Sequence, residues 1–396
     1  MVIESLKYKI LQQFGFAPTQ EQGQALDTFV SFLTDRDPQA VMILRGSAGT
    51  GKTSLSGAIV RTLLQIRQKV MLLAPTGRAA KVFSLGSGAP AYTIHRRIYR
   101  EKAFAGVDGQ FSLNDNLYTD TLFMVDEASM IANMGLGGTT FGSGCLLDDL
   151  VKFVYQGHND RLLLIGDKAQ LPPVGEEESP ALSASVMEGY GLKVYECDLN
   201  EVLRQSQSSG ILYNATLIRQ MITHDAVTGL PLICFKGFAD IVMMPGAELV
   251  ESLGDSYHHV GMDETMVITR SNKRANIYNN GIRNMVLDRE EELSSGDMLM
   301  IVKNNYFWTE KEKKESGEGS AGAVPAFLAN GDRAKVLRVS NYIELYGFRF
   351  ATLLLQLPDY DDYEMQVTGM LDTLQSEAPA LTHEQQEELF RQVEED

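Results

Sequence analysis

The sequence predicts an α/β protein, with a parallel sheet flanked by helices and a smaller region of short strands after it. Three observations predict this. Short apolar runs recur at Ala40–Leu44, Val70–Ala74, Leu122–Glu127 and Leu162–Ile165, with turns and helical stretches between them. Strands alternating with helical patterns are the signature of parallel sheets. A glycine-rich turn separates the first run from its helix, and after Gly296 the pattern changes to short strands between polar loops.

Composition sets the outer limits. At 396 residues the chain is too long for one ordinary core, so two or three domains are expected. The 44% hydrophobic content supports real cores, and no apolar run is long enough to span a membrane. Met1 to Phe14 mixes Glu4, Lys7 and Lys9 with apolar residues, which predicts an amphipathic helix rather than a signal peptide. Cys145, Cys197 and Cys234 lack metal-ligand spacing and read as reduced thiols of a cytoplasmic protein. The net charge of −17 argues against a protein that coats itself in nucleic acid. Basic residues nevertheless collect at Arg78 to Arg100 and at Arg270 to Arg283, enough for a local basic track.

Taken in order, the first feature is Thr19, a sound N-cap before the helical spacing of Leu26, Phe29, Val30 and Leu33. Gln22 stands where a capping box wants Glu or Gln; the functional alternative is an amide that reads an adenine edge. The central motif follows. Gly46-Ser47-Ala48-Gly49-Thr50-Gly51-Lys52-Thr53 fits the G-x-x-x-x-G-K-[ST] phosphate loop, preceded by a strand and followed by Leu55, Ile59, Leu63 and Ile66 at helical spacing. Its glycines let backbone N–H groups and a helix N-terminus face an anion. Lys52 is expected to reach the β- and γ-phosphates of ATP, and Thr53 to ligate Mg²⁺.

The second apolar run ends in Pro75-Thr76-Gly77-Arg78-Ala79-Ala80-Lys81, where a helix start and two cations suit a nucleic-acid phosphate. Solvated helix charge is the plain alternative. Thr93-Ile94-His95-Arg96-Arg97 adds a second basic cluster beside Tyr92. The stretch Phe104 to Leu117 is polar and glycine-broken, and predicts a hairpin turned at Ala105–Gly109 with Phe111 on its return strand. The third run ends in Asp126-Glu127, a Mg²⁺ ligand next to a carboxylate that activates water. Gly135 to Gly144 holds five glycines and reads as a mobile loop. After the fourth run, Gln170 stands at the carboxyl edge of the sheet, placed to sense a γ-phosphate, and Pro172-Pro173 form a stiff connector. Arg204 is the candidate arginine finger, with an ordinary surface arginine as the alternative.

Together these residues resemble the superfamily 1 helicases of the RecD and Dda branch, from about Phe16 to about Arg283 and in the family's order. Gln22 falls on the adenine-reading glutamine, Gly46 to Thr53 on motif I, and Pro75 to Lys81 on motif Ia. Thr93-Ile94-His95 resembles the next DNA-contacting stretch, and Phe104 to Leu117 the family's hairpin pin. Asp126-Glu127-Ala128-Ser129 resembles motif II, Gly166 to Pro173 motif III, and Arg204 the arginine of the following motif. Ser271-Asn272-Lys273 through Asn279 and Arg283 resembles the TN-K-x(5)-N-x(3)-R stretch, with Ser for the first Thr. Met298–Val302, Arg333–Val339 and Phe348–Leu357, with the charged loop Lys311–Gly322 and a tight turn at Asn330-Gly331, resemble the branch's small SH3-like β-barrel insertion.

The resemblance implies tandem RecA-like P-loop domains with parallel sheets, the second incomplete and carrying the SH3-like insertion. The expected divisions are residues 1–198 as the first RecA-like domain, with the pin near 104–117, and 199–296 as part of the second. Residues 297–370 form the insertion and 371–396 an acidic C-terminal helix. It implies ATP and Mg²⁺ as cofactors and single-stranded or forked DNA as partner, with 5′→3′ polarity. A monomer without membrane association, working beside other repair, recombination or replication proteins, completes the expectation. Catalysis is expected from Lys52, Glu127, Gln170 and Arg204. Nucleotide contacts are expected from Gln22, Gly46, Ala48, Gly49, Thr50, Gly51, Lys52 and Thr53, and metal ligation from Thr53 and Asp126. DNA contacts are expected from Pro75, Thr76, Arg78, Lys81, Thr93, His95, Phe111, Asn272 and Arg283.

The family's final motifs have no counterpart in the sequence. Thr382-His383-Glu384-Gln385-Gln386 lacks the needed Lys and Gly, and Thr382 with Gln385 reads as a capping box opening the acidic helix. The 396-residue chain is therefore expected to bind ATP and to unwind DNA poorly or not at all. The alternative reading is a nucleotide-switched DNA-binding or assembly subunit without unwinding activity. A kinase is disfavoured because Asp126-Glu127 pairs a metal ligand with a water-activating acid.

Overall fold

The computed structural model describes residues 2–103, 110–134, 142–201, 209–223, 229–302, 331–360 and 362–374, with isolated positions at 305, 308–309, 311–312, 328, 381, 385, 388–389 and 391–392. The chain divides into two compact units, Met1–Ile241 and Val242–Asp396.

The first unit begins with α1 (Val2–Phe14) and α2 (Gln20–Thr34), then β1 (Ala40–Gly46), α3 (Lys52–Gln65), β2 (Lys69–Ala74), α4 (Gly77–Ser87) and β3 (Ala91–Thr93). A short α5 (Ile94–Ile98) leads into β4 (Tyr99–Ala103) and β5 (Gln110–Leu113). After them come β6 (Thr121–Val125), α6 (Leu146–Gln156), β7 (Arg161–Gly166), α7 (Ala184–Gly189), β8 (Lys193–Leu199) and α8 (Gly210–Thr223). Six strands form one sheet in the order β3-β2-β6-β7-β1-β8. Every neighbouring pair in it is parallel.

The four apolar runs read from the sequence are the four central strands. All residues of β1, β6 and β7 are buried, as expected where helices cover both faces of a parallel sheet. Strand alternation divides them between two cores. Met42, Leu44, Met124, Leu163 and Ile165 pack with Leu26, Phe29, Leu55 and Ile59 on one face. Val41, Ile43, Phe123, Val125 and Leu164 pack with Ile94, Leu150 and Phe153 on the other. Full burial of each such side chain is worth about 1.5–3 kcal/mol, so this double-sided core is the main cohesive term. The predicted amphipathic α1 is present, with Leu6, Ile10 and Phe14 buried one turn apart in the first core.

Two strands were not read from the sequence, both at sheet edges. β3 has three residues, and β8 alternates partly exposed and polar positions. Yet β8 pairs with β1 along its whole length, from Ala40↔Lys193 to Gly46↔Leu199. Its acids are used there: buried Arg45 meets Asp198 at 2.6 Å and Glu196 at 2.9 Å. The predicted hairpin is present as the antiparallel pair β4–β5, running from Tyr99↔Leu113 to Ala103↔Gln110. Its connection, residues 104–109, lies outside the described residues.

The first compact unit runs to Ile241, beyond the boundary at 198 expected from the sequence. Arg219 of α8 meets Asp167, just after β7, at 2.9 Å, and hydrogen bonds tie α8 in turn to the segment after it. Asp240 accepts from Gly210 N and Ser209 Oγ, each at 2.7 Å, and Asn214 exchanges bonds with the backbone of Cys234 at 2.9 and 2.7 Å.

The second unit holds α9 (Leu249–His259), α10 (Asn272–Met285), β9 (Met298–Met300), β10 (Arg333–Leu345), β11 (Phe348–Leu357) and β12 (Tyr363–Met370). Its four strands make an antiparallel sheet in the order β12-β11-β10-β9, over a core of Val336, Leu353, Leu355, Met365 and Val367. This is the sheet expected for the insertion, extended by β12. The β10–β11 turn lies at Tyr346-Gly347, both with positive φ, as a two-residue hairpin requires. Between 242 and 297 the described residues hold two α-helices, a 3-10 turn at Gly246–Glu248 and no strand. Asn330, Thr382 and most of 371–396 lie outside the described residues, apart from a single 3-10 turn at Leu371–Thr373. No helix among the described residues is long and apolar enough to cross a membrane.

Candidate active site

The parallel sheet decides where the motifs meet. All six strands point the same way, so the residue after each strand falls on one carboxyl edge, where open α/β sheets bind ligands. In sheet order that edge carries Thr93 at the end of β3, Pro75 after β2, Asp126 after β6, Asp167 after β7, Ser47 after β1 and Asn200 after β8. The phosphate loop and the proposed DNA-contacting turns thus stand apart, with Asp126, Glu127 and Gln170 between them.

The phosphate loop is built for an anion. Gly49 and Gly51 have φ of +82° and +85°, where a side chain is strained. Gly46 is required by contact: a Cβ there would lie 2.9 Å from both Leu199 Cβ and Thr50 Oγ1. Ala48 and Gly49 form the exposed crest, while Ser47 and Thr50 are buried beneath it and Thr50 Oγ1 donates to Ser47 O at 2.8 Å. Lys52 opens α3, and its ammonium donates to Gly46 O and, at 3.0 Å, to Ser47 O. Burial lowers the Lys52 pKa, against the pull of Asp167, Glu127 and Asp126. Thr53, the second residue of α3, is exposed.

Opposite the loop, burial pushes the Asp126 carboxyl up to about 6, helped by Glu127 and opposed by the Glu127 N–H and by Lys52. Glu127 takes the left-handed conformation, φ +53°, with its N–H on Asp126 Oδ1 at 3.0 Å. A non-glycine residue held there is an uncommon conformation that clusters at functional sites. Ser129, fully buried, donates to Gln170 Oε1 at 2.9 Å, so the side chain of Gln170 is fixed. The residues fit Mg²⁺: Thr53 and Asp126 offer hard oxygen donors, and Asp126 is a carboxylate short of positive charge. Among the described residues no three His, Cys, Asp or Glu side chains form a metal cage, as expected for an ion held jointly with phosphates.

Of the two roles offered for Gln22, the structure shows the capping contacts. Its side chain is 1% exposed; Oε1 accepts from Thr19 N at 3.0 Å and Nε2 donates to Thr50 O at 2.8 Å. The amide completes the capping box and props the phosphate loop.

The DNA candidates also divide. Pro75 and Thr76 form the turn after β2; Thr76 Oγ1 caps α4 by accepting Ala79 N at 3.2 Å, Arg78 is exposed, and Lys81 is half-buried. Thr93 is buried and caps α5 through Arg96 N at 3.3 Å. Burial lowers the His95 pKa, and its ring packs 5.7 Å from Tyr99. The exposed charge there is Arg96, while Arg97 stacks on Tyr92 at 4.2 Å. Phe111 pairs with Glu101 in the hairpin.

In the second unit Asn272 is exposed at the start of α10, which Ser271 caps as well as Thr would, accepting Arg274 N at 3.3 Å. Arg283 is held within its own unit. Its guanidinium donates to Asp297 at 2.9 and 3.1 Å, to Glu291 O at 2.6 Å and to Ser294 Oγ at 3.5 Å, and so ties α10 to the chain before β9. Arg204 lies outside the described residues. Sequence reading missed Asp167, Ser129 and Arg219 as site residues. The first two stood inside quoted motifs without a role, and Arg219, on α8, had no local signal at all. Its guanidinium meets Asp167 at 2.9 Å.

A family model described as an AAA domain matches residues 17–229. The chain is 30% identical over 157 residues to the ATP-dependent RecD2 DNA helicase of Deinococcus radiodurans, covering 39% of this chain and 18% of that protein. It is 25% identical over 267 residues to the ATP-dependent DNA helicase dda of Enterobacteria phage T4, covering 65% of this chain and 55% of that protein. The chain thus spans less than two thirds of either relative. Among solved structures it is similar to the Pif1 helicase from Candida albicans, at 18% identity and a TM-score of 0.37, over 89% of this chain and 78% of that one. With its phosphate loop, Asp126-Glu127 and Gln170 inside a match covering more than half its length, the chain belongs to this AAA-domain family, and it is similar to the RecD2 and Dda helicases.

Proposed function

We propose that the chain hydrolyses ATP to drive movement along single-stranded DNA, 5′→3′, while unwinding forked DNA poorly by itself. The observation that carries this is the shared carboxyl edge. Turns suited to a nucleic-acid backbone follow β3 and β2, the phosphate loop follows β1, and the two hydrolytic carboxylates lie on the strand between. A change in phosphate occupancy at one end therefore has only Asp126-Glu127 and the Gln170 turn to cross before reaching the other.

In this reading the loop amides and Lys52 hold the β- and γ-phosphates, Lys52 leaving Gly46 O and Ser47 O when the triphosphate arrives. Thr53 and Asp126 would hold Mg²⁺ together with the phosphates, and the ion would supply positive charge there. Glu127 orients the attacking water and takes its proton. Gln170, braced by Ser129, monitors the γ-phosphate. Arg78, Lys81 and Asn272 contact the strand, and the β4–β5 hairpin acts as the separating pin. The 5′→3′ direction, a monomeric state, a cytoplasmic location and work in DNA repair, recombination or replication follow from the branch resemblance.

The test is steady-state phosphate release by this chain with and without single-stranded DNA. DNA is expected to stimulate release at least about tenfold. Release of equal rate in both conditions sinks the translocase reading, and no release despite ATP binding turns it into a nucleotide-switched binding subunit.

A further inference from the structure

Arg219 lies outside every motif of the sequence, yet the fold brings it to the hydrolysis site. It projects from α8, whose start is fastened by Asp240 through Ser209 and Gly210. Its Nη2 donates to Asp167 Oδ2 at 2.9 Å, and the Asp167 side chain is only 8% exposed. The other oxygen, Oδ1, accepts Ala169 N at 2.9 Å, and Asp167 O accepts Gln170 N at 3.2 Å. One buried carboxylate thus folds the turn that carries Gln170, and one arginine neutralises it.

We propose that Arg219 is a positioning residue of this site: through Asp167 it holds the 167–170 turn, and so Gln170, and cancels a buried negative charge beside the triphosphate. The inference rests on the nucleotide reading above and deepens it.

The charge pattern makes the role more than structural. Asp167 is the carboxylate that acts most on Lys52, and Arg219 is near enough to oppose it. Two cations, Lys52 and Arg219, therefore stand against three carboxylates, Asp126, Glu127 and Asp167. Removing Arg219 leaves Asp167 with only Lys52, which the phosphates also need, as counter-charge, and the excess negative charge repels an anion in the same low-dielectric space. A triphosphate, with its γ-group beside Lys52, suffers more than a diphosphate. Arg219→Lys keeps the charge but loses the planar fork that aligns the carboxylate.

The experiment measures affinity for ATP and ADP with fluorescent analogues, and phosphate release, for the whole chain and three variants. Arg219→Ala is expected to weaken ATP binding about tenfold and ADP binding under about threefold, and to lower turnover about tenfold. Adding Asp167→Asn to Arg219→Ala removes the uncompensated charge, so ATP affinity returns to within about threefold of wild type while turnover stays low. Arg219→Lys retains affinity and recovers part of the turnover. Equal losses for ATP and ADP, or a double variant no better than Arg219→Ala at binding ATP, overturn the proposal. A wild-type chain that binds neither nucleotide overturns the nucleotide reading itself, and this inference with it.

Discussion

The two ends of the sheet's carboxyl edge make contrasting use of polar side chains. At the β1 end, Gln22, Thr50 and Lys52 are buried or half-buried and donate to the backbone carbonyls of Thr50, Ser47 and Gly46, so the loop is held in shape largely by its own motif residues. At the β3–β2 end, Thr76 and Thr93 spend their hydroxyls on helix caps and His95 is packed inward, which leaves Arg78 and Arg96 exposed. A phosphate loop needs one backbone shape, so its sequence is constrained residue by residue. A track for a polymer of phosphates needs only positive surface at the right place, so many side chains near it serve the fold.

The largest expected effect tests the first end. Lys52→Ala and Glu127→Gln should each cut phosphate release by ~10²–10⁴-fold, with ATP binding preserved in Glu127→Gln. Near-wild-type release by either variant breaks the assignment of that end. Asp126→Asn sharpens it from the stability side. In protein stripped of metal with EDTA, the folded Asp126 pKa of about 6 lies above its unfolded 3.8, so the ionised carboxylate costs stability above pH 6. Asp126→Asn should therefore raise the melting temperature at pH 7, by an effect on the order of 1–3 kcal/mol. That advantage should shrink as pH falls through 6 toward 4, where the wild-type carboxyl is neutral. A variant that melts lower than wild type at pH 7 contradicts the buried-charge account.

Gln22→Ala compares propping with base reading. Losing the buried bonds to Thr19 and Thr50 should cost about 1–2 kcal/mol in thermal unfolding, and weaken ATP and GTP to the same degree. A selective loss for ATP, with unchanged stability, would show that the amide reads adenine after all. The smallest effect tests the second end. Arg78→Ala and Lys81→Ala should each reduce the salt slope of log K for single-stranded DNA by about 0.7, whereas Arg283→Ala should leave it unchanged and destabilise the second unit. A lost slope on Arg283→Ala would return that residue to the DNA track.

How much was legible follows from the same contrast. The four central strands stood out because burial on both faces demands uninterrupted apolar runs, while β3 and β8, at the edges, were too short or too polar to show. The hairpin was visible through its glycine-broken turn and the antiparallel sheet through short strands between polar loops, but β12 was not read as a strand. The bonds of Arg283 were hidden because spacing along a helix says where a cation stands and nothing about Asp297, fourteen residues on, which takes its hydrogen bonds.

By itself, the sequence determined the local chemistry: a loop whose glycines and Lys52 suit a triphosphate, a carboxylate pair, and strands that must be buried. Those depend on neighbours in the chain, and local patterns record them. The tertiary structure alone decided the order of the strands, β3-β2-β6-β7-β1-β8, and hence which turns share an edge. It also turned Gln22 onto the loop, put Glu127 at φ +53°, and brought Arg219 across 52 positions to Asp167. Such pairings form when helices and strands pack, and no spacing rule along the chain encodes them.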